Sequence, residues 1–297
     1  MILKLDKKLE QKDFINEKEL QNYFEKNIEK ILGFRFIDTE FSVGDFRIDT
    51  LAFDDESKSF RIIEYKNIRN ISLIDQGYTY LKLMLERKAD FVLQYNIKTS
   101  STLTIQDIDW SQSRIVFVSP TYTTYQLNAT DFKNIPVDLI KITRYEDCIV
   151  EIDKIEKTSN VSVREITDEK TKNRVDKEII VYTEEDHLKR STEATKALYE
   201  ELKLRILELD DIDVEVKKVY IAFKGMTNIV DVEAQKERIK LTINMVKGTL
   251  DDPMGLTRDI SNVGHWGNGD YELFINKIDD IDNIIPLIKQ SIRKNRK

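Results

Sequence analysis

The sequence predicts two α/β layers in series: a mixed sheet flanked by helices in the first half, and a smaller α+β domain in the second. Three observations carry this. Short apolar runs rich in β-branched and aromatic residues alternate with amphipathic helical stretches up to about residue 152. From about Lys154 to Glu178 the apolar periodicity fades into Glu, Lys, Thr, Asn and Asp. Periodic segments then resume and continue nearly to the last residue. The expected division is residues 1–156, a linker or projecting hairpin at 157–181, and a second domain at 182–297. The chain has 297 residues, 40% of them apolar, with only 9 glycines and 4 prolines, which fits a globular chain of two domains rather than a disordered or repetitive one.

The first element expected is a helix over residues 16–32. Asn16 is its candidate N-cap and Glu19 stands three residues on, as in a capping box. Leu20, Tyr23, Phe24, Ile28, Ile31 and Leu32 form its apolar stripe. Glu17 lies close to that stripe in angle and is expected to point near the core, with Glu19 pointing away. A strand is expected at Phe34–Phe41, followed by a hairpin.

The arms of that hairpin are Arg47–Asp54 and Ser59–Lys66, with a polar turn at Asp55–Lys58. Asp49, Glu64 and Lys66 interrupt otherwise apolar arms. Side chains alternate along a strand, so Glu64 and Lys66 share a face. A turn centred on Glu56 and Ser57 puts Asp49 opposite Glu64, with Cβ atoms roughly 4.5–5.5 Å apart. Facing carboxylates repel unless a cation lies between them. A divalent metal fits, and an all-oxygen donor set suits Mg²⁺, with Mn²⁺ as a substitute. Lys66 adds a positive charge beside the same spot.

A second helix is expected over residues 72–88, capped by Ser72, with Gln76 and Tyr80 on one face. Phe91–Tyr95 and Arg114–Ser119 read as short buried strands, Tyr122–Phe132 as a helix, and Val137–Tyr145 with Ile149–Ile152 as a strand pair. The second domain reads as a long helix from Glu184 to Leu209, then strands at Val216–Phe223, Ile229–Val232 and Ile239–Val246. A polar stretch ends in Gly264-His265-Trp266-Gly267-Asn268-Gly269-Asp270. A strand at Tyr271–Asn276 and a helix at Ile281–Lys294 complete it.

Several chemistries are disfavoured. The only histidines are His187 and His265, both in the second half, which argues against zinc or histidine-metal catalysis. No phosphate-binding glycine loop is present. The lone Cys148 has no internal disulfide partner, which fits a reducing cytoplasm, and is expected to be a small buried residue. No apolar run reaches the roughly 18 residues of a membrane span, and the chain opens on no secretory signal. The net charge of −7 disfavours a general nucleic-acid binder but leaves room for a local basic groove.

The ordered set of Glu17 on a helix, Asp49, then Glu64-Tyr65-Lys66 on the hairpin partner, then Gln76-x-x-x-Tyr80 resembles the PD-(D/E)XK nuclease superfamily. The last pattern is similar to its RecB-like and NucS-like branches. Further stretches resemble one bacterial family over nearly the whole chain, among them Ile108-Asp109-Trp110-Ser111 and Ile142-Thr143-Arg144-Tyr145. In that family the second half is an uncharacterised domain marked by the Gly-His-Trp-Gly-Asn-Gly-Asp loop. Some relatives are labelled predicted transport proteins, which the lack of a membrane segment does not support. Two positions depart from the pattern: Ile48 stands where the superfamily has proline, and Ala52 where glycine is expected.

The resemblance implies a restriction-endonuclease-like fold and a metal-dependent DNA endonuclease of defence or repair. Asp49 and Glu64 would be metal ligands with the Tyr65 carbonyl. Lys66 would orient the water or stabilise the phosphate, Glu17 would serve a second metal or its water, and Gln76 and Tyr80 would position DNA or the lysine. It also implies a homodimer, since two sites suit two strands. The alternatives are a non-catalytic nucleic-acid-binding or assembly protein on the same scaffold, and a transport-associated ligand binder. For the second half, His265, Trp266, Asn268 and Asp270 form a candidate recognition loop in which Trp266 would stack on a base. The basic end, Lys289, Arg293, Lys294, Arg296 and Lys297, would hold phosphates.

Overall fold

The computed structural model describes residues 3–4, 7–66, 73–131, 135–157, 175–225, 227–264 and 267–295. The chain divides into two compact units, Met1–Val181 and Tyr182–Lys297.

The first unit begins with a short strand pair, Leu3–Lys4 with Lys7–Lys8. Helix α1 follows at Glu17–Leu32, started by Asn16, whose side chain accepts the Glu19 N–H at 2.8 Å. It ends at Gly33, whose φ of 72° is the left-handed C-cap position that favours glycine. The capping box is shifted by one residue: the Glu19 carboxylate takes the Ile15 N–H at 2.6 Å, not that of Asn16.

Strands β1 (Arg35–Val43), β2 (Phe46–Asp54) and β3 (Ser59–Tyr65) form an antiparallel meander. The β2–β3 register is the one the polar turn predicts, with Thr50 opposite Ile63 and Asp54 opposite Ser59. Helices α2 (Leu73–Glu86) and α3 (Lys88–Thr99) then lead to β4 (Arg114–Ser119), which pairs parallel to β3. Helix α4 (Thr124–Thr130) connects to β5 (Val137–Arg144), parallel to β4, and β6 (Val150–Lys154) closes the sheet antiparallel. The result is a six-stranded mixed sheet in the order β1-β2-β3-β4-β5-β6.

Every residue of β3 is buried, as expected for a central strand covered on both faces. On one face Leu20, Phe24 and Ile28 of α1 pack on Ala52, Ile63, Tyr65, Val116 and Val118. On the other, α2 and α3 cover Leu51, Phe53, Phe60, Ile62, Ile115 and Phe117. Gly77 permits the close approach of α2, since a Cβ there would meet the Ile115 side chain at 3.1 Å. That approach brings Gln76 and Tyr80 down onto the hairpin.

Three expectations for this unit are corrected. Phe91–Tyr95 lies within helix α3 and is not a strand. Its buried residues, Phe91, Val92 and Tyr95, follow helical spacing, and a five-residue apolar run does not by itself separate the two states. Residues 175–181, expected in the linker, pack on the first unit, with Val175 and Ile179 buried in its core. Cys148 is exposed, not buried. Ser72, Phe132 and most of the expected linker lie outside the described residues.

In the second unit the single long helix is two, α5 (Glu184–Leu188) and α6 (Glu193–Leu207). Thr192 restarts the helix as an N-cap, accepting the Thr195 N–H at 3.2 Å. The expected strand at Val216–Phe223 is the turn of a hairpin between β7 (Asp213–Val216) and β8 (Ile221–Lys224), closed by Lys217 N–H donating to the Tyr220 carbonyl. Strands β9 (Asn228–Ala234), β10 (Ile239–Ile243), β11 (Arg258–Asp259) and β12 (Tyr271–Ile275) complete an antiparallel sheet ordered β11-β12-β10-β9-β8-β7. Helix α7 (Asp280–Asn295) and α6 pack on it through Leu198, Leu202, Ile284 and Ile288. Among the described residues no helix is long and apolar enough to cross a membrane.

Candidate active site

Asp49 lies within strand β2 but is paired in neither of its ladders. In the β1–β2 ladder the pairs run Thr39 with Thr50, then Phe41 with Ile48, and Asp49 is skipped. In the β2–β3 ladder the pairing stops at Thr50 with Ile63. Buried backbone groups need partners, and side chains supply them here. The Asp49 N–H donates to Glu64 Oε1 at 3.2 Å, and the Asp49 carbonyl accepts from the Gln21 amide at 2.8 Å. The Asp49 carboxylate takes the place of a ladder acceptor, receiving the Tyr65 N–H at 3.1 Å. Opposite the gap, Glu40 has a φ of +53°, a conformation costly for a residue with a Cβ. It is held there by Lys18 at 3.0 Å and Arg47 at 2.8 Å.

Glu64 is 1% exposed. Its second oxygen accepts from the Gln76 amide at 2.7 Å and lies 3.8 Å from the Lys66 ammonium. Burial first, and the Asp49 charge second, push the Glu64 carboxyl up to about 8. Burial also raises Asp49, against the Tyr65 N–H bond and Lys66, which lower it. Half-buried Asp49 and buried Glu64 thus meet where burial disfavours the charge of both, beside Lys66. That is the electrostatic condition for binding a hard cation, and both donors are oxygens.

Asp49, Glu64, Lys66 and Gln76 come together. Tyr80 joins them less directly: its hydroxyl donates to the Arg47 carbonyl at 3.0 Å, and burial with the Glu64 charge raises its pKa. Glu17 is exposed, not turned toward the core. It still repels both carboxylates electrostatically. Among the described residues no group of three Asp, Glu, His or Cys side chains is placed to hold a metal ion. Glu19 is partly exposed and binds Arg144 at 2.7 Å.

Gln21 was not among the expected site residues. Its signal in the sequence is its position four residues after Glu17 on the same helix face. Behind the site, Thr50 donates to Glu25 at 2.6 Å and lies 3.1 Å from the Tyr65 hydroxyl, which ties β2, β3 and α1 together.

In the second unit, the loop side chains expected to read a ligand bind their own domain. The Asn268 N–H and side-chain amide both donate to the buried Asp231, at 2.5 and 3.1 Å. Asp270 accepts the Lys247 N–H at 2.7 Å. A Cβ at Gly269, whose φ is +105°, would clash with the Ile243 carbonyl, so only glycine fits. His265 and Trp266 lie outside the described residues, as do Arg296 and Lys297. Lys289, Arg293 and Lys294 are exposed on α7.

Residues 184–293 match the model of a domain of unknown function, DUF5655. Among solved structures, the chain is similar to a repair endonuclease from Pyrococcus abyssi, at 18% identity and a TM-score of 0.29, covering 44% of this chain and 48% of that one. It is also similar to an EndoMS–dsDNA2 complex, at 18% identity and a TM-score of 0.28, covering 38% and 39%. Each match spans less than half of the solved chain. An uncharacterized protein of Haemophilus influenzae is 45% identical over 288 residues, which are 96% of this chain and 95% of that protein. The chain belongs to the same family as that Haemophilus influenzae protein.

Proposed function

We propose that the first unit is a divalent-metal-dependent DNA nuclease of the PD-(D/E)XK type. The observation that carries this reading is the meeting of half-buried Asp49 with buried Glu64, with Lys66 3.8 Å from the second. Asp49 and Glu64 would hold Mg²⁺, with the Tyr65 carbonyl at the end of β3 as a third oxygen. A bound divalent ion would supply an acidified water and a Lewis acid for the phosphate. The other roles belong to the chain itself. Gln76 fixes the second oxygen of Glu64. Lys66, beside that oxygen, orients the attacking water or meets the charge that builds on the phosphate. Tyr80 holds the Arg47 carbonyl and so the end of β2 that carries Asp49. Glu17, exposed above the pair, would hold a metal-bound water or a second ion.

In the second unit the exposed Lys289, Arg293 and Lys294 on α7 form the surface we assign to DNA backbone contact, which would weaken with salt. The test of the main reading is nicking of supercoiled DNA by purified protein with Mg²⁺ or Mn²⁺. Asp49→Ala and Lys66→Ala should each abolish nicking while leaving the circular dichroism spectrum unchanged. Metal-dependent cleavage that survives in Lys66→Ala would place the activity elsewhere.

A further inference from the structure

We infer that Gln21 is a positioning residue for the carboxylate pair. This rests on the metal-site reading above, but one arm of its test does not. Gln21 is 4% exposed, and its side chain is used on every side. The amide nitrogen lies 2.8 Å from the Asp49 carbonyl, 2.9 Å from Glu25 Oε1 and 3.1 Å from Thr39 Oγ1. The amide oxygen accepts from Lys18 at 3.0 Å, and Lys18 also binds Glu40 at 3.0 Å.

The Asp49 carbonyl is the group that matters. A strand carbonyl ordinarily accepts from the neighbouring strand, yet both ladders omit Asp49. Without Gln21 this carbonyl would be left without its amide donor, a costly state that the chain relieves by rotating the peptide back toward a strand partner. The Asp49 carboxylate belongs to the same residue and would rotate with it, away from Glu64 and the Tyr65 N–H. Gln21 therefore holds the Asp49 carbonyl in place of a strand partner. It also ties the site to α1, whose first turn, four residues earlier, carries Glu17. Glu40, strained opposite the gap, is held by the same chain of contacts through Lys18.

The test compares wild type with Gln21→Met, which keeps the length and loses the amide. Thr39→Val and Glu25→Gln serve as controls, since they alter the other partners of Gln21 and spare its bond to Asp49. In metal-free protein, the Asp49 and Tyr65 amides should exchange about tenfold faster in Gln21→Met, with Leu51 and Ile62 unchanged. The controls should leave all four near wild type. With Mn²⁺ titrated by calorimetry, Gln21→Met should bind about 10–100-fold more weakly, the usual cost of losing a group that orients a ligand. If Gln21→Met does not fold, Gln21→Glu replaces it, keeping an acceptor for Lys18 but no donor for Asp49. Unchanged exchange at Asp49 and Tyr65 in a folded variant overturns the inference. Wild-type protein that binds no Mn²⁺ overturns the metal reading instead, and the exchange result still decides the role of Gln21.

Discussion

The two ends of the β2–β3 hairpin each bury a carboxylate, and they treat it in opposite ways. At the turn end Asp54 meets Arg61 at 2.7 Å, and Ser57 donates to the same carboxylate at 2.7 Å. Arg61 is further bonded to Ser59 and to the Gln112 carbonyl and lies over the Phe34 ring. At the open end Glu64 faces Asp49, and among the described residues its ion-pair partner is Lys66, at 3.8 Å. The first is a closed ion pair that pins the hairpin register. The second sets two carboxylates side by side, with a single longer contact to a lysine among the described residues. A buried carboxylate marks structure where the chain completes its shell, and a candidate site where the chain declines to.

The largest effect should come from breaking the closed end. Arg61→Met leaves Asp54 buried without its cation, which should cost on the order of 3–5 kcal/mol in denaturant unfolding. A cost below about 1 kcal/mol, the range of a solvated pair, would erase the contrast between the two ends.

The open end should respond in the other direction. Glu64 is raised to about 8, whereas an unperturbed glutamate titrates near 4.5. Between those values the unfolded chain has lost a proton that the folded chain keeps. The stability tied to this group is therefore full below 4.5 and is lost as pH rises toward 8. Metal-free wild type should be measurably less stable at pH 9 than at pH 5, and Glu64→Gln should flatten that slope. An unchanged slope in Glu64→Gln would mean that the two carboxylates are not in tension.

The smallest effect concerns Tyr80. Tyr80→Phe removes the bond to the Arg47 carbonyl and should cost about 1 kcal/mol, with the hairpin intact. A loss above about 3 kcal/mol would make Tyr80 a core anchor and weaken its assignment to the site.

The hairpin and its register were legible because a polar turn between two β-rich arms leaves few ways to pair them, and Asp49, Glu64 and Lys66 stand out against apolar neighbours. Gln21 was legible only as a neighbour of Glu17 on one helix face, not in its role. Its task exists only because Asp49 skips both ladders, and no local pattern announces a skipped residue. Helix α3 differs from the expected strand because Phe91–Tyr95 is apolar at both helical and strand spacing, and packing on Phe41 and Phe53 decides the outcome. The break between α5 and α6 carried a local signal, the N-cap Thr192, which the apolar positions on either side masked. In the Gly267–Asp270 loop the glycines were visible, but the buried Asp231 that collects Asn268 lies 37 residues away in sequence.

The central claim is that Asp49 and Glu64 share one divalent ion. Crystals of the wild-type protein soaked in Mn²⁺, with anomalous data collected at the manganese edge, test it most directly. The account predicts a peak between the two carboxylates, and on exchange for Mg²⁺ an oxygen distance of about 2.0–2.1 Å. A saturating soak with no peak there, or a peak bound by other residues, would contradict it.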